Sequence, residues 1–147
     1  MDEALQLQVM LLRPGARLPA RHSDLASGFD LHACLDGGTI EVGPVPVLVP
    51  TGVAIASPHG TDVQIRPRSG LSAKGVMSAF GTIDADYRGE LFVTMYCLAA
   101  TGTYVVRHGD RVAQLVIARL ADVAWTVVEH LDATSRGTGG HGSTGRS

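Results

Sequence analysis

The stretch that decides the interpretation of this chain is Gly81-Thr82-Ile83-Asp84-Ala85-Asp86-Tyr87-Arg88-Gly89-Glu90-Leu91. Glycines stand near both of its ends, apolar runs flank it, and its centre carries two carboxylates, a phenol and a guanidinium, which is typical of a turn between two strands. We therefore predict a β-hairpin tip. Its backbone N–H and C=O groups lack ladder partners and can read the edge of a planar ligand, while Asp84 offers a base and Tyr87 a flat apolar face. A surface hairpin with solvated charges is the alternative.

Length and composition indicate one globular domain built mainly from strands. Of 147 residues, 45% are hydrophobic and 18% charged, and 18 glycines with 7 prolines favour short strands and turns. A net charge of −2 excludes a general attraction to nucleic acid or to anionic membranes. Cys34 and Cys97 lie far apart and form no disulfide framework or metal pair. Because the start of the chain is acidic, unlike a signal peptide, we expect a cytoplasmic protein.

Alternating apolar residues predict many short strands. We expect them at residues 5–12, 39–42, 45–49, 53–56, 62–66, 91–98, 104–107, 112–117 and 124–128. Trp125 is expected to pack within the last of them. Asp30 is predicted at the edge of a strand, or else in a capping or turn role. Residues 69–75 predict a short helical turn whose first amides, beside Arg68, form either an anion site or an ordinary capped turn.

Two further features leave alternatives open. Gln114 stands in the apolar run 112–117, and a buried amide there is either a cross-strand link or a ligand contact. The glycine-rich tail from Arg136 is either a disordered terminus or a lid in which Arg136 and Ser143 close over a polyphosphate. Histidines other than His141 show no metal-ligand spacing, and we interpret them as surface or satisfied loop residues; they are at positions 22, 32, 59, 108 and 130.

Five segments, taken in order, resemble the motifs of the trimeric dUTPase family and together cover almost the whole chain. They are Ser27-Gly28-Phe29-Asp30-Leu31, Pro67-Arg68-Ser69-Gly70-Leu71, residues 81–89, Gly109-Asp110-Arg111-Val112-Ala113-Gln114-Leu115, and residues 136–145. The resemblance implies an all-β, distorted jelly-roll or β-clip subunit of a homotrimer. It implies a single domain over residues 1–147, with a β core over 1–135 and a flexible glycine-rich C-terminal arm over 136–147.

The same resemblance implies hydrolysis of dUTP to dUMP and pyrophosphate with Mg²⁺, in active sites shared by three chains. Asp84 is then the catalytic carboxylate that activates the attacking water, Asp30 contacts the metal through water, and Tyr87 lies against the deoxyribose. Further substrate-binding residues implied by similarity are Arg68, Ser69, Gly70, Gly81, Thr82, Ile83, Gln114, Arg136, His141, Gly142 and Ser143. At 141 the family's usual residue is phenylalanine; an imidazole can still stack over uracil, across less area.

Two other interpretations remain open. The related dCTP deaminase group shares the fold, but the turn from Asp84 to Tyr87 and the arginine-glycine tail favour pyrophosphate release, and the His-x-Glu with Cys-x-x-Cys pattern of zinc deaminases is absent. The other is a trimeric module that keeps the pocket but acts by engaging a protein partner. The presence of Asp30, Asp84, Gln114 and Arg136 argues against a loss of catalysis.

Overall fold

The computed structural model describes residues 3–142 and 145, which form a mainly β subunit. The chain order is β1 (Gln8–Leu11), β2 (Phe29–His32), β3 (Thr39–Val42), β4 (Val47–Pro50), β5 (Val53–Ala56), β6 (Thr61–Arg66), α1 (Ser69–Ser72), β7 (Val76–Ser78), β8 (Gly81–Ile83), β9 (Phe92–Cys97), a 3₁₀ turn (Ala99–Thr101), β10 (Tyr104–Arg107) and β11 (Arg111–Arg119). The expected all-β class and the short helical turn after Arg68 are confirmed.

The strands pair antiparallel in four sheets around one core. The largest sheet has the order β2-β11-β6-β8, a second has the order β4-β9-β7, and β1-β5 and β3-β10 are two-stranded. In β6 and β9 every second residue is buried, as the period of two predicts. Every sheet contributes to the core, which includes Leu31, Val42, Val49, Val53, Val63, Val93 and Val106.

The stretch 81–91 is a crossing between sheets, so the hairpin prediction was wrong. Strand β8 pairs with β6, whereas β9 pairs with β4 and β7. The flanking apolar runs do form strands, but each finds its partner elsewhere in the chain. The turn between them is closed by the Tyr87 N–H, which donates to the Asp84 carbonyl at 3.0 Å. Because β8 is an edge strand among the described residues, one side of its backbone has no strand partner there.

The strand predicted at 124–128 is also wrong for the described residues. The Leu120 N–H donates to the Gly60 carbonyl at 2.9 Å, and the described residues beyond this bond form no helix or strand. Trp125 is 91% exposed and is not a core residue. The segment has the aromatic and β-branched composition of a strand, but a strand also needs a ladder partner, and the described chain pairs none with it.

The predicted first strand is shorter and more exposed than expected. Only Gln8–Leu11 pairs, with β5, and all four of its residues are exposed. Among the described residues, no helix has the length and apolar character needed to span a membrane.

Candidate active site

One group of predicted site residues meets around Asp30 on β2. Its Oδ1 lies 3.5 Å from Arg68 Nε and its Oδ2 lies 3.5 Å from Arg111 Nη1. Arg68 also donates from Nη1 to the carbonyl of Arg111 at 3.2 Å. The side chain of Asp30 is 15% exposed, so two guanidinium groups flank a carboxylate that is mostly withdrawn from solvent.

Arg111 belongs to this group but was not among the predicted site residues. The pairing of β11 with β2 shifts register between Arg111 and Ala113, and a bulge of this kind re-aims the side chains beside it. Arg111 Nη1 also lies 3.2 Å from His22 Nδ1. The sequence signal was a single cation at the start of an otherwise apolar run, within the fourth motif.

Gln114 is a link between three motifs. It faces Asp30 on β2 and Arg66 on β6, and its Nε2 donates to the Pro67 carbonyl at 2.9 Å. Its Oε1 lies so close to Gly28 that a Cβ there would stand 2.1 Å away. Of the two roles predicted for Gln114, the structural link between segments is therefore observed. An amide nitrogen has two hydrogens, so one remains for a ligand.

Ser69 and Gly70 open α1 directly after Arg68 and are exposed. No side-chain cap bonds to the first turn, and the first N–H groups of a helix have no intrahelical acceptors. Beside the guanidinium of Arg68, these amides are hydrogen-bond donors available to an anion.

A second group lines a cavity of about 270 Å³ beside β8. Thr82 and Ile83 contribute from the edge strand, and Asp84 and Tyr87 from the turn that follows. Asp84 is exposed, so its carboxylate is open to water. Tyr87 is 43% exposed, and its hydroxyl donates to the Glu90 carbonyl at 2.9 Å. The cavity thus combines an accessible carboxylate with an aromatic wall.

Glu90 ties this turn to the rest of the subunit and was missed by the sequence reasoning. Its Oε1 accepts the Gly52 N–H at 2.8 Å and lies 2.5 Å from Arg13 Nη1. The hydrogen bond with Glu90 is the main cause that raises the pKa of Arg13 above its ordinary value. A carboxylate near the end of a polar turn was the only signal in the sequence, and it did not distinguish a buried anchor from a solvated charge.

The two groups lie at opposite edges of the same sheet, because β11 and β6 separate β2 from β8. Asp30 on β2 pairs with Gln114 on β11. Asp84 follows Ile83, which shares a cross-strand row with Ile117 of β11, so Asp84 continues the row of Ala118. Ala118 lies four residues along β11 from Gln114. Strand spacings of about 4.8 Å and a rise of about 3.4 Å per residue place Asp30 and Asp84 roughly 20 Å apart. A single chain does not bring these two carboxylates together.

The described residues of the C-terminal arm form no hydrogen bond with either group. Arg136 is exposed, and its Nε donates to the Gly139 carbonyl within the arm at 2.7 Å. His141 has a φ of 48°, in the left-handed region that few side chains adopt; it and Gly142 are exposed. Ser143 lies outside the described residues.

His32 departs from the interpretation of the histidines as surface or satisfied loop residues. It lies on β2, and its Nδ1 is buried with no hydrogen-bond partner among the described residues. Burial lowers its pKa below the ordinary value, and the positive charge of Arg17 lowers it further. His32 is therefore held neutral beside the Asp30 group.

A β scaffold that presents an accessible carboxylate, an aromatic wall and an arginine-flanked acid is typical of an enzyme acting on a phosphorylated small molecule. The family model "dUTPase" matches residues 15–145. The chain is 52% identical to the deoxyuridine 5'-triphosphate nucleotidohydrolase of Desulfotalea psychrophila, covering 87% of each protein. It is 48% identical to that of Treponema pallidum, covering 90% of this chain and 92% of the relative. This chain belongs to the dUTPase family.

Solved structures agree with this assignment. The dUTPase of Staphylococcus bacteriophage 80alpha, solved with dUPNHPP, is 28% identical and superposes with a TM-score of 0.81, covering 96% of this chain and 99% of that one. A mutant of the dUTPase from phage phi11 of S. aureus, which shows the coordination of a structural Mg(II) ion, is 28% identical with a TM-score of 0.73, covering 85% and 97%.

Proposed function

We propose that this chain hydrolyses dUTP to dUMP and pyrophosphate by attack of a water molecule on the α-phosphate, in a site assembled from several copies of the chain. The overall reaction is that of the dUTPase family. The observation that carries the assembly is the separation of roughly 20 Å between Asp30 and Asp84 within one chain, estimated from strand spacing and rise.

Asp84 is the group that orients the attacking water and takes its proton. It is accessible to solvent at the mouth of the cavity, and a carboxylate within hydrogen-bond reach of water can act as a general base. In this reaction the negative oxygens of the phosphate chain repel the nucleophile, so positioning the water is a large part of the work.

The β8 edge and Tyr87 recognise the nucleoside. The unpaired side of the backbone over Gly81, Thr82 and Ile83 supplies N–H and C=O groups that match the edge of uracil. A donor and acceptor pattern of this kind rejects cytosine because it would leave buried polar groups unpaired, while thymine requires space for a methyl group. The ring of Tyr87 lies against the deoxyribose and leaves no room for a 2′-hydroxyl.

The Asp30 group binds the phosphates. Arg68 and the amides of Ser69 and Gly70 provide donors for phosphate oxygens, and Gln114 adds its remaining amide hydrogen. Mg²⁺ suits this site as a substrate-borne ion, since magnesium usually keeps several waters and binds through one or two carboxylates plus phosphate oxygens. Asp30 fits an outer-sphere contact, because its guanidinium partners at 3.5 Å are too distant to saturate its oxygens. When bound, the ion would neutralise charge on the triphosphate.

Both groups must act on the same triphosphate, so a working site requires Asp84 of one copy and the Asp30 group of another. We propose a homotrimer with three such sites. The arm over 136–147 of a third copy then closes each site, with Arg136 and Ser143 on phosphate oxygens, His141 stacked over uracil and Gly142 allowing close backbone approach. The glycine-rich composition of the arm suits a segment that becomes ordered on its ligand.

Apolar surface supports the assembly of copies. Between residues 120 and 131 the side chains of Leu120, Val123, Trp125, Val127 and Leu131 are exposed. A groove of about 600 Å³ lies between the N-terminal segment and the four-stranded sheet, and it is lined mainly by apolar residues that include Leu5, Leu7, Phe29, Leu115 and Ile117. The exposed segment and the groove are both apolar, so docking the segment of one copy in the groove of another would remove both surfaces from water.

A cytoplasmic location completes the proposal, supported by two buried cysteines, Cys34 and Cys97, that remain free thiols. Proteins of reducing compartments keep their thiols in this state.

Pyrophosphate release from dUTP, dTTP, dCTP and UTP, with and without Mg²⁺, tests the reaction. Asp84→Asn should reduce turnover of dUTP by about 10²–10⁴-fold while leaving nucleotide affinity largely intact. Asp86→Asn is the matched control, because Asp86 is an exposed carboxylate of the same turn; it should retain most activity. Near-normal turnover by Asp84→Asn would exclude Asp84 as the base.

Mixed oligomers test whether a site spans two copies. Asp84→Asn and Arg68→Ala chains should each be nearly inactive alone. When they are co-assembled in equal amounts, roughly a quarter of the sites should combine an intact Asp84 from one chain with an intact Arg68 from its neighbour. Recovery of that activity supports shared sites, and mixtures that stay inactive would place the whole site within one chain.

A further inference from the structure

Tyr87 is bound by its own turn through its backbone and through its hydroxyl. Its backbone N–H donates to the Asp84 carbonyl at 3.0 Å, and its hydroxyl donates to the Glu90 carbonyl at 2.9 Å. The side chain is otherwise 43% exposed, so core packing does little to fix it. The tether to Glu90 is therefore the contact that determines how the ring is oriented.

The space that the ring occupies exists because residue 89 is glycine. A Cβ at Gly89 would stand 2.4 Å from Tyr87 Oη, 2.6 Å from Cζ and 3.1 Å from Cε2. The backbone of Gly89 lies outside the left-handed region, so its φ does not demand glycine. What demands glycine here is the position of the Tyr87 ring.

The carbonyl that receives the hydroxyl is itself fixed. The carboxylate of Glu90 is bound by the Gly52 N–H at 2.8 Å and by Arg13 at 2.5 Å. The next residue, Leu91, donates from its N–H to the Val53 carbonyl at 2.8 Å. Three contacts thus fasten this end of the turn, to Gly52 between β4 and β5, to Val53 at the start of β5 and to Arg13 after β1. They fix the carbonyl that accepts the Tyr87 hydroxyl.

We propose that Gly89 and Glu90 are specificity-determining positioning residues, which hold the Tyr87 ring at the depth that admits deoxyribose and excludes ribose. The inference rests on the proposed placement of Tyr87 against the sugar. The Tyr87 ring can exclude the 2′-hydroxyl of ribose only if the ring keeps its position. An exposed tyrosine without the tether can swing away and admit the 2′-hydroxyl, whereas the tethered ring cannot.

The experiment compares kcat/KM for dUTP with kcat/KM for UTP in the full-length protein. Gly89→Ala should lower the dUTP/UTP ratio about tenfold, and Glu90→Gln, which loses the ion pair with Arg13, by a smaller factor. Gly43→Ala is the matched control, because a Cβ there meets only Thr103 Cγ2, at 4.0 Å; its ratio should equal that of the wild type. A change that merely destabilised the fold would lower both rates together and leave the ratio unchanged.

Tyr87→Ala separates this inference from the proposed function. If Tyr87→Ala keeps the wild-type ratio, Tyr87 does not select the sugar, and that part of the proposed function fails. If Tyr87→Ala lowers the ratio while Gly89→Ala and Glu90→Gln keep it, the positioning role is overturned. Should Gly89→Ala not fold, Tyr87→Phe decides, since it keeps the ring and removes only the tether. A lowered ratio supports the inference, and an unchanged ratio overturns it.

Discussion

Replacing Gly28 by alanine is expected to destabilise the protein, because the side chain of Gln114 occupies the space beside it. The new Cβ would lie 2.1 Å from Gln114 Oε1 and 2.9 Å from Cδ. Gln114 cannot turn aside without cost, since its Nε2 donates to the Pro67 carbonyl at 2.9 Å. The substitution therefore either strains a close contact or breaks the link that joins the first, second and fourth motifs.

Both outcomes have a known scale. Overpacking of this kind costs about 1–3 kcal/mol, and loss of the hydrogen bond to Pro67 costs about 1 kcal/mol. For a chain of 147 residues, this corresponds to a lowering of the thermal midpoint on the order of 10 °C. Turnover should fall as well, because Pro67 precedes Arg68.

Thermal unfolding at a fixed protein concentration measures the effect, since an oligomer's midpoint depends on concentration. Gly28→Ala combined with Gln114→Ala removes the two shortest contacts and leaves only Gln114 Cβ at 3.1 Å. The double variant should therefore be more stable than the sum of the single effects, by about 1 kcal/mol or more. Gly43→Ala serves again as the control, with a change within about 0.5 kcal/mol. Additive effects, or an unchanged midpoint in Gly28→Ala, would refute the steric reasoning.

Further predictions concern stability and metal use. Thr51→Val should destabilise the fold by about 1–3 kcal/mol in urea unfolding, because the buried Thr51 hydroxyl donates to the Leu91 carbonyl at 2.6 Å and valine leaves that acceptor unpaired. The pKa of His32 is lowered by burial in the folded state. Below pH of about 6.5 His32 therefore binds a proton more readily in the unfolded chain than in the folded chain. Stability should fall from that pH until the lower folded pKa is passed, and His32→Gln should show a weaker fall. Asp30→Asn should raise the Mg²⁺ concentration needed for half-maximal pyrophosphate release, and an unchanged requirement would contradict the outer-sphere role.

The sequence predicted most of the strands and the short helix, because the pattern of apolar and polar residues within a segment largely determines its secondary structure. Strands β6, β9, β10 and β11 were found from apolar alternation, and α1 from the serine and glycine after Arg68. Pairing is a non-local property, and this is where prediction failed. The residues flanking 81–91 do form strands, but no local pattern showed that β8 pairs with β6 while β9 pairs with β4 and β7.

The site divides in the same way. The family resemblance predicted roles for Asp30, Arg68, Asp84 and Tyr87, because each carries a side chain with evident chemistry. Residues whose role is to leave space or to anchor a carbonyl have no such signature. A glycine at 89 looks like any turn glycine until the Tyr87 ring is seen to occupy the position of its missing Cβ.

The wrong strand at 124–128 and the separation of the two site groups have one physical explanation in the proposed trimer. An exposed Trp125 leaves a large apolar area in water, which a stable chain avoids unless another surface covers it. The composition of this segment predicted a strand, but in the described chain nothing pairs with it. Asp84 likewise cannot act on a phosphate bound by the Asp30 group of its own chain, because the two carboxylates lie roughly 20 Å apart. In the proposed trimer a second copy would complete each feature, so the assembly would be the functional unit of this sequence.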